Sequence, residues 1–264
     1  MVAVLIAAAL AAAVPEAPPP AAAASPAMFV VRDTDTTVYI FGTFHALDGH
    51  ADWFDHRVKS AFESSNELVL ETVLPESPVQ LRQAISARAL PMTTSASFLA
   101  TTRLAINAGR SQGMQVGNGA DNVLRHAADA EGKPVEGLET LELQLNMFTR
   151  MPATSTRRPP KAGEPVEDGA QLDSLSRTMA EMQSAWKHGD QHVFVRMLNQ
   201  LEQTSPDTYR LMFTERNARW ADWIAGRMQT PGVVFVAVGA GHLAGKDSLL
   251  VRLAEQGIPS TRLN

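Results

Sequence analysis

The sequence contains no cysteine, and this absence excludes several kinds of site at once. Disulfide bonds, thiolate-bound zinc and cysteine nucleophiles all require a thiol. The chain also lacks a long run of lysine and arginine, and its formal net charge at pH 7 is −5. Proteins that bind nucleic acid follow the phosphates with clustered basic side chains. We therefore expect no nucleic-acid partner.

Familiar catalytic and nucleotide-binding motifs are missing as well. The sequence has no Gly-x-Ser-x-Gly elbow and no His-Glu-x-x-His helix. Gly239 and Gly241 follow an apolar run, as in a dinucleotide fingerprint. That fingerprint needs an acidic residue on a further strand about 20 residues later, a point at which this chain has Leu263. Lys246 is followed by Asp247, where a phosphate-binding loop has serine or threonine. No nucleotide site is expected.

An apolar run over residues 2–14 opens the chain. It is too short to cross a bilayer, which takes about 20 residues. Alanine and proline follow, with small residues at the spacing of signal-peptide cleavage sites. We expect residues 1–26 to be a signal peptide or, as the alternative, a disordered Ala/Pro leader. Export would make the mature chain periplasmic or secreted, with no stable membrane span and a single domain over 27–264.

Apolar runs of strand length alternate with stretches of helical spacing along most of the chain. This order favours an α/β fold with a mostly parallel central sheet and helices on both faces. An N-terminal β-hairpin precedes it, a mobile polar loop is predicted over 152–169, and a long helical insertion over 172–228. The predicted strands are 28–32, 37–41, 67–71, 114–116, 133–139, 233–238 and 259–263, and the predicted helices are 52–64, 79–90, 93–109, 121–131, 140–150 and 247–256.

Methionines are concentrated in the helical second half, at positions 179, 182, 197, 212 and 228. Flexible thioether side chains fill irregular gaps in a core, and they also form adaptable binding surfaces. We favour core filling over a methionine-rich ligand groove.

Two Gly-x-x-His elements, Gly42 to His45 and Gly239 to His242, each follow an apolar run. Glu71 and the pair Glu136 and Glu139 also stand at predicted strand ends. In open α/β sheets the carboxyl ends of the strands share one edge, where the crevice lies. Two imidazoles with one or two carboxylates suit a divalent transition metal with positions open to water or substrate. Such an ion lowers the pKa of bound water and polarises a carbonyl.

These residues also have plain structural interpretations. A histidine after a strand is often a hydrogen-bonded loop residue, and Glu71 could pair with an arginine. Within the long predicted helix, Arg216 and Asn217 could face solvent, or they could contribute a cation and an amide to the site from behind.

The motifs together resemble the TraB/PrgY/GumN family, which includes the TIKI metalloproteases. The resemblance covers about residues 28–264 and rests on Gly42-Thr-Phe-His45, Leu68-Val-Leu-Glu71, Gly137-Leu-Glu139-Thr, Glu215-Arg-Asn217 and Gly239-Ala-Gly-His242-Leu. It implies an α/β fold related to the erythromycin-esterase and ChaN-like proteins. It also implies a metal-dependent peptidase centre with manganese or cobalt, and the same residue types suit zinc.

Carried onto this chain, the resemblance implies one shared set of residues. The metal ligands are His45, Glu71 and His242, and the catalytic or supporting residues are Glu71, Glu139, Arg216 and Asn217. We therefore expect a metal-dependent hydrolase, specifically a peptidase acting on a peptide or protein outside the cytoplasm. The alternative is a non-catalytic periplasmic binding protein for a peptide or a haem-like ligand.

Overall fold

The computed structural model describes residues 24–50, 52–75, 104, 106–150 and 168–263, with isolated positions at 77, 79 and 83. The structure does not describe residues 1–23, most of the predicted helices 79–90 and 93–109, or most of the polar loop 152–169. Within them, no helix is long and apolar enough to span a membrane.

A six-stranded mixed sheet forms the centre of the described residues, in the order β4-β3-β5-β2-β1-β6. Its strands are β1 (Met28–Arg32), β2 (Thr36–Thr43), β3 (Glu67–Thr72), β4 (Val135–Glu139), β5 (Gly232–Gly239) and β6 (Thr261–Leu263). The pairs β2–β5, β5–β3 and β3–β4 are parallel, whereas β1 runs antiparallel to β2 and β6. The predicted α/β class is confirmed, with a mixed sheet.

Local sequence explains where the first strands turn. The side chain of Asp33 accepts hydrogen bonds from the backbone N–H groups of Asp35 and Thr36 at 3.1 and 2.8 Å, a turn that joins β1 to β2. In β5, residues 234–238 are at most 1% exposed. A parallel strand covered on both faces requires such a continuous apolar run.

Eight α-helices are described besides the sheet. They are α1 (His56–Glu63), α2 (Ala120–Glu131), α3 (Leu141–Arg150), α4 (Asp168–Lys187), α5 (His192–Thr204), α6 (Pro206–Tyr209), α7 (Glu215–Arg227) and α8 (Leu249–Glu255). The side chains of Asp55 and Ser248 cap α1 and α8 by accepting from Val58 N and Val251 N. Such caps satisfy N–H groups that have no partner inside the helix.

The core divides into two clusters because neighbouring residues of a strand point to opposite faces of a sheet. Phe41 belongs to the cluster that includes Phe62 of α1, Leu124 of α2 and Trp186 of α4. Its neighbour Ile40 belongs to the other cluster, formed with α7 and α8. Helices from separate parts of the chain therefore pack against the two faces of the sheet.

The register of the parallel strands brings their carboxyl ends together. Thr43 of β2 pairs with Gly239 of β5, and Thr72 of β3 pairs with Glu139 of β4. The residues that follow β2 and β5, and the last residues of β3 and β4, thus share one edge, as the sequence predicts.

One local prediction differs from the structure. Residues 114–116 form no strand: Gln115 makes an isolated bridge with Leu47, and a 3₁₀ turn covers Val116–Asn118.

Residues just ahead of 27 make contacts with the rest of the described chain. Ala24 is 3% exposed, and Ser25 N donates to the Lys187 carbonyl at 2.7 Å. The Ala/Pro composition of this segment predicts neither the burial of Ala24 nor the hydrogen bond of Ser25.

Candidate functional site

The two histidines are placed by the ends of β2 and β5. His45 follows β2 by two residues, and His242 lies in a 3₁₀ turn over Ala240–Leu243 directly after β5. His242 is 5% exposed, with its ring centroid 4.9 Å from that of Phe213 and 4.4 Å from that of Trp220. The two aromatic rings fix the imidazole in the wall of the crevice.

Arg216 connects the predicted carboxylates. Its Nη2 donates to Glu71 Oε2 at 2.7 Å and its Nε to Glu139 Oε2 at 2.9 Å. Its Nη1 lies 3.2 Å from His242 Nε2, and its guanidinium stacks 4.5 Å from the ring centroid of Trp220. The arginine is 3% exposed. Of the two interpretations of Arg216, the structure selects the one in which it reaches the site from behind.

Asn217 sets the orientation of His242. Its Nδ2 donates to the Asp247 carbonyl at 2.7 Å, so its Oδ1 faces His242 Nδ1, also at 2.7 Å. An amide oxygen can only accept, which places the imidazole proton on Nδ1 and leaves the Nε2 lone pair to accept from Arg216 Nη1. Burial, with the positive charge of Arg216, lowers the pKa of His242 to about 3, against the opposing charge of Glu71. The ring is neutral at pH 7.

His45 has a similar arrangement with a carboxylate. Its Nδ1 lies 3.2 Å from Asp121 Oδ1, a buried oxygen that has no aligned hydrogen-bond donor. Partial burial would lower the pKa of His45, but the contact with Asp121 and the charge of Glu71 outweigh it and raise the pKa to about 9. Since 62% of the His45 side chain is exposed, solvent screens this pair, and it contributes little to stability.

Glu71 is held in its ionised form. Burial alone would raise its pKa, but the charges of His242, Arg216 and His45 and the hydrogen bond from Gly239 N lower it to about 2. That backbone N–H lies 2.6 Å from Glu71 Oε1. The side chain therefore remains a carboxylate at neutral pH, although only 14% of it is exposed.

Gly239 marks the point at which these groups converge. A Cβ at this position would lie 3.1 Å from Glu71 Oε1, 3.5 Å from His45 Nε2 and 3.8 Å from His242 Cδ2. The absence of a side chain thus leaves room for the three candidate ligands around one point. A glycine is therefore favoured for steric reasons at the start of the second Gly-x-x-His element.

Two imidazoles and a carboxylate are ligand types that divalent ions use, although His45, with its pKa raised to about 9, must lose a proton before it can bind one. Both imidazoles have Nδ1 beside an oxygen and present Nε2 near Glu71, which is the usual support for a metal-binding histidine. As the described side chains stand, no three His, Asp or Glu groups are close enough to hold an ion. Arg216 contacts Glu71 and His242 instead, so binding would require Glu71 to exchange the guanidinium for the metal.

The crevice is amphipathic and has a volume of about 410 Å³. Its polar end contains His45, Glu71, Arg216 and His242, and its apolar wall is formed by Phe44, Met147, Met179, Met182, Phe194, Met197, Met212 and Phe213. Four of the five methionines for which the sequence favours core filling therefore line the crevice. The fifth, Met228, packs in the core cluster formed with α7 and α8 and is not among the lining residues.

Several neighbours of the site are not among the residues predicted from the sequence. Asp121, the first residue of a predicted helix, reaches His45 from the first turn of α2. Arg219 donates to Glu139 Oε1 at 2.8 Å, so Glu139 pairs with two arginines. Glu136, in contrast, is exposed and does not line the crevice. The strand-end pattern could not find Asp121 or Arg219, because both lie on helices.

Comparison with known proteins gives one informative result. No curated protein and no solved structure matches the chain. The model of the TraB/PrgY/gumN family matches over residues 27–101 and 79–262, which include the ends of β2, β3, β4 and β5 and all the site residues described above. The chain belongs to the TraB/PrgY/gumN family.

Proposed function

We propose that the chain is a metal-dependent hydrolase, and specifically a peptidase that acts outside the cytoplasm on a peptide or protein. The observation that carries the proposal is the way in which the two histidines are held. His45 and His242 each have Nδ1 beside an oxygen, from Asp121 and Asn217, and each presents Nε2 towards Glu71 across the crevice. This support is typical of metal-binding imidazoles.

In this proposal His45, His242 and Glu71 would hold manganese, cobalt or zinc. The bound ion would lower the pKa of a water ligand and polarise a carbonyl. The protein's own groups prepare the site for this chemistry: His242 is kept neutral by burial, and Glu71 is kept ionised by its surroundings. Glu71 would therefore serve as an anionic ligand of the ion.

Arg216 and Glu139 have a different role in the proposal. Glu139 is bound to Arg216 and Arg219 and holds Arg216 in place. Arg216 lines the crevice, so its N–H groups can stabilise negative charge that develops on a substrate oxygen. We therefore assign Arg216 to charge stabilisation, and we assign Glu139 and Asn217 to positioning.

The finer features of fold and location remain part of this proposal. We propose a fold related to the erythromycin-esterase and ChaN-like proteins, with α4 to α7 as the helical insertion. We also propose export, with a signal peptide within residues 1–26 and a periplasmic or secreted mature chain.

The alternative is a non-catalytic binding protein for a peptide or a haem-like ligand. One observation favours it: Arg216 already satisfies Glu71 and contacts His242, so the site is electrically balanced without an ion. The methionine wall would then serve binding alone.

A cleavage assay tests the proposal. The full chain is prepared free of metal, supplied with Mn²⁺, Co²⁺ or Zn²⁺, and incubated with a peptide library. We expect metal-dependent cleavage that falls by about 100-fold or more in His45→Ala and in His242→Ala. His126→Ala, an exposed histidine on the same helix as Asp121, is the matched control and should keep full activity. Cleavage that survives loss of both His45 and His242 would exclude this mechanism.

A further inference from the structure

Thr43 has a buried hydroxyl that no described residue pairs with. The residue is 1% exposed, lines the crevice and stands at the end of β2, two residues before His45. Its Oγ1 is buried and has no hydrogen-bond partner in the part of the chain that the structure describes. Buried polar groups are nearly always paired, because an unpaired one is destabilising. An unpaired hydroxyl in the lining of a crevice therefore indicates a partner that binds there.

Strand geometry places this hydroxyl on the side of the apolar wall. Thr43 and Phe41 share one face of β2, because side chains two residues apart point the same way. The Phe41 ring meets Trp186 of α4 edge to face, with centroids 6.5 Å apart. The same helix contributes Met179 and Met182 to the crevice. The intervening Gly42 faces the opposite side, towards Ala240 and Leu243.

The apolar wall explains what else the partner carries. Methionine side chains adapt to the shape of an apolar group and make favourable contacts with aromatic rings. The crevice, at about 410 Å³, falls within the usual range of ligand pockets, roughly 300–1,000 Å³. Among the described lining residues, the ionised or titratable groups are all at the polar end, so a charged group against the methionines would be left unpaired by them.

We propose that Thr43 Oγ1 donates a hydrogen bond to a neutral carbonyl of the ligand, while an adjacent apolar side chain packs against the methionine wall. The ligand class is a peptide segment with a large apolar residue next to that carbonyl. The chemistry performed on such a peptide rests on the proposed function, but its binding does not. Thr43 thus determines specificity, and the methionines determine which side chain is accepted.

The first experiment uses calorimetric binding of a blocked dipeptide, N-acetyl-leucyl-leucine amide, to the full chain without added metal. Thr43→Val is nearly isosteric and removes only the hydroxyl, so we expect the dissociation constant to rise about threefold to tenfold. Thr43→Ser keeps the hydroxyl and should bind within about twofold of the unchanged chain. The free Thr43→Val protein should melt at the same temperature or higher, because it loses an unpaired buried group.

This combination separates ligand contact from a structural role. A Thr43→Val protein that binds the dipeptide as tightly as before overturns the inference. So does one that melts lower than the unchanged chain, because the hydroxyl would then stabilise the free protein.

The apolar wall is tested with a matched pair on α3. Met147 lines the crevice, whereas Leu143, one turn earlier, is 41% exposed and does not. We expect Met147→Gln to weaken leucine-dipeptide binding by about tenfold and Leu143→Gln to leave it unchanged. N-acetyl-asparaginyl-asparagine amide should bind the unchanged chain at least about tenfold more weakly. Equal affinity for the two dipeptides overturns the assignment.

The experiments distinguish failure of the Thr43 inference from failure of the hydrolase proposal. If the leucine dipeptide binds as expected but no peptide is cleaved with any of the three metals, the hydrolase proposal fails and the ligand class stands. If peptides are cleaved but the leucine dipeptide does not bind, this inference fails alone.

Discussion

Among single residues, Arg216 connects three groups of the site, Glu71, Glu139 and His242. It donates to Glu71 and Glu139, and the exposed fractions of the three side chains are 4%, 14% and 2%. A carboxylate left charged and unpaired in a protein interior is strongly destabilising. The guanidinium therefore compensates the charge of Glu71 and shares that of Glu139 with Arg219. The sequence leaves open that Glu71 pairs with an arginine, and the structure shows this pairing. Glu71 nevertheless lines the crevice beside both histidines.

Replacing Arg216 with methionine tests this dependence. The change leaves Glu71 and Glu139 buried without their shared cation, and we expect the free energy of unfolding to fall by about 3–5 kcal/mol. Urea unfolding measures the loss, and the slope of the transition should stay unchanged. Adding Glu71→Gln and Glu139→Gln to the same chain should recover part of the stability, because neutral amides tolerate burial better than lone carboxylates.

Arg196→Met is the matched control for that measurement. Arg196 pairs with Glu181 on the surface, where the two side chains are 63% and 55% exposed, so its loss should change stability by less than about 0.5 kcal/mol. A loss at Arg216 as small as that at Arg196 would contradict the buried network.

Among the elements, the segment between α6 and α7 shapes the crevice most directly. Arg210–Thr214 forms a π turn, which is rare and is frequently found at functional sites. It brings the Met212 carbonyl to 3.5 Å from Arg216 Nη1 and places Phe213 against His242. The spacing of apolar residues predicts a continuous helix here. A single π turn shifts that spacing too little to be recognised from the sequence.

The loop after β2 is anchored to α4 by a half-buried ion pair. Asp48 Oδ2 accepts from Lys187 Nζ at 2.8 Å and from Gln183 Nε2 at 3.0 Å. Burial would raise the pKa of Asp48, but the hydrogen bond and charge of Lys187 outweigh it and hold the pKa below its ordinary value. His45 lies at the start of this loop, so the contacts of Asp48 with α4 also help to hold His45 at the crevice.

The sign of the pH dependence follows from that depressed pKa. The contribution of Asp48 is fully present above the pKa of an unfolded aspartate, about 3.9. It is lost as the pH falls through the lower folded value, because the carboxyl must then be protonated. We expect Asp48→Asn to destabilise the protein by about 1 kcal/mol at pH 7, with a difference that shrinks towards zero below about pH 4.

Thermal unfolding at several pH values checks this prediction. Glu63→Gln is the control, since Glu63 pairs with Lys59 at 3.7 Å on the surface, with side chains 52% and 57% exposed. It should change stability little at any pH. A loss from Asp48→Asn that grows as the pH falls would have the wrong sign.

In the whole molecule, the sequence predicts the strands and the edge they share much better than the composition of the site. A strand buried on both faces must be continuously apolar, and the alternation of such runs with helices leaves few arrangements of the sheet. His45, Glu71, Glu139 and His242 could therefore be found from their positions after strands. Asp121, Thr43 and the methionine wall could not, because their roles depend on distances between elements that no local pattern records.

The start of the folded chain offers a last prediction for the whole molecule. Residues ahead of β1 are tied to three distant segments: Ala24 N donates to the Asp52 carbonyl at 3.3 Å, Ser25 N donates to the Lys187 carbonyl at 2.7 Å, and Pro26 accepts from Arg57 at 3.0 Å. Arg57 also donates to the Leu263 carbonyl at 3.1 Å, so one side chain joins the segment before β1 to β6. A domain that begins at residue 27 would lose these contacts.

We therefore expect a chain that begins at residue 24 to be more stable than one that begins at residue 27. Each lost hydrogen bond is worth about 1 kcal/mol, and each kcal/mol corresponds to about 2–4 °C in a domain of this size, so the shorter chain should melt several degrees lower. Arg57→Met in the longer chain should lower its melting temperature, and the same change in the shorter chain should have a smaller effect, since the Pro26 carbonyl is already gone. Equal melting temperatures for the two chains would mean that residues 24–26 contribute nothing to the fold.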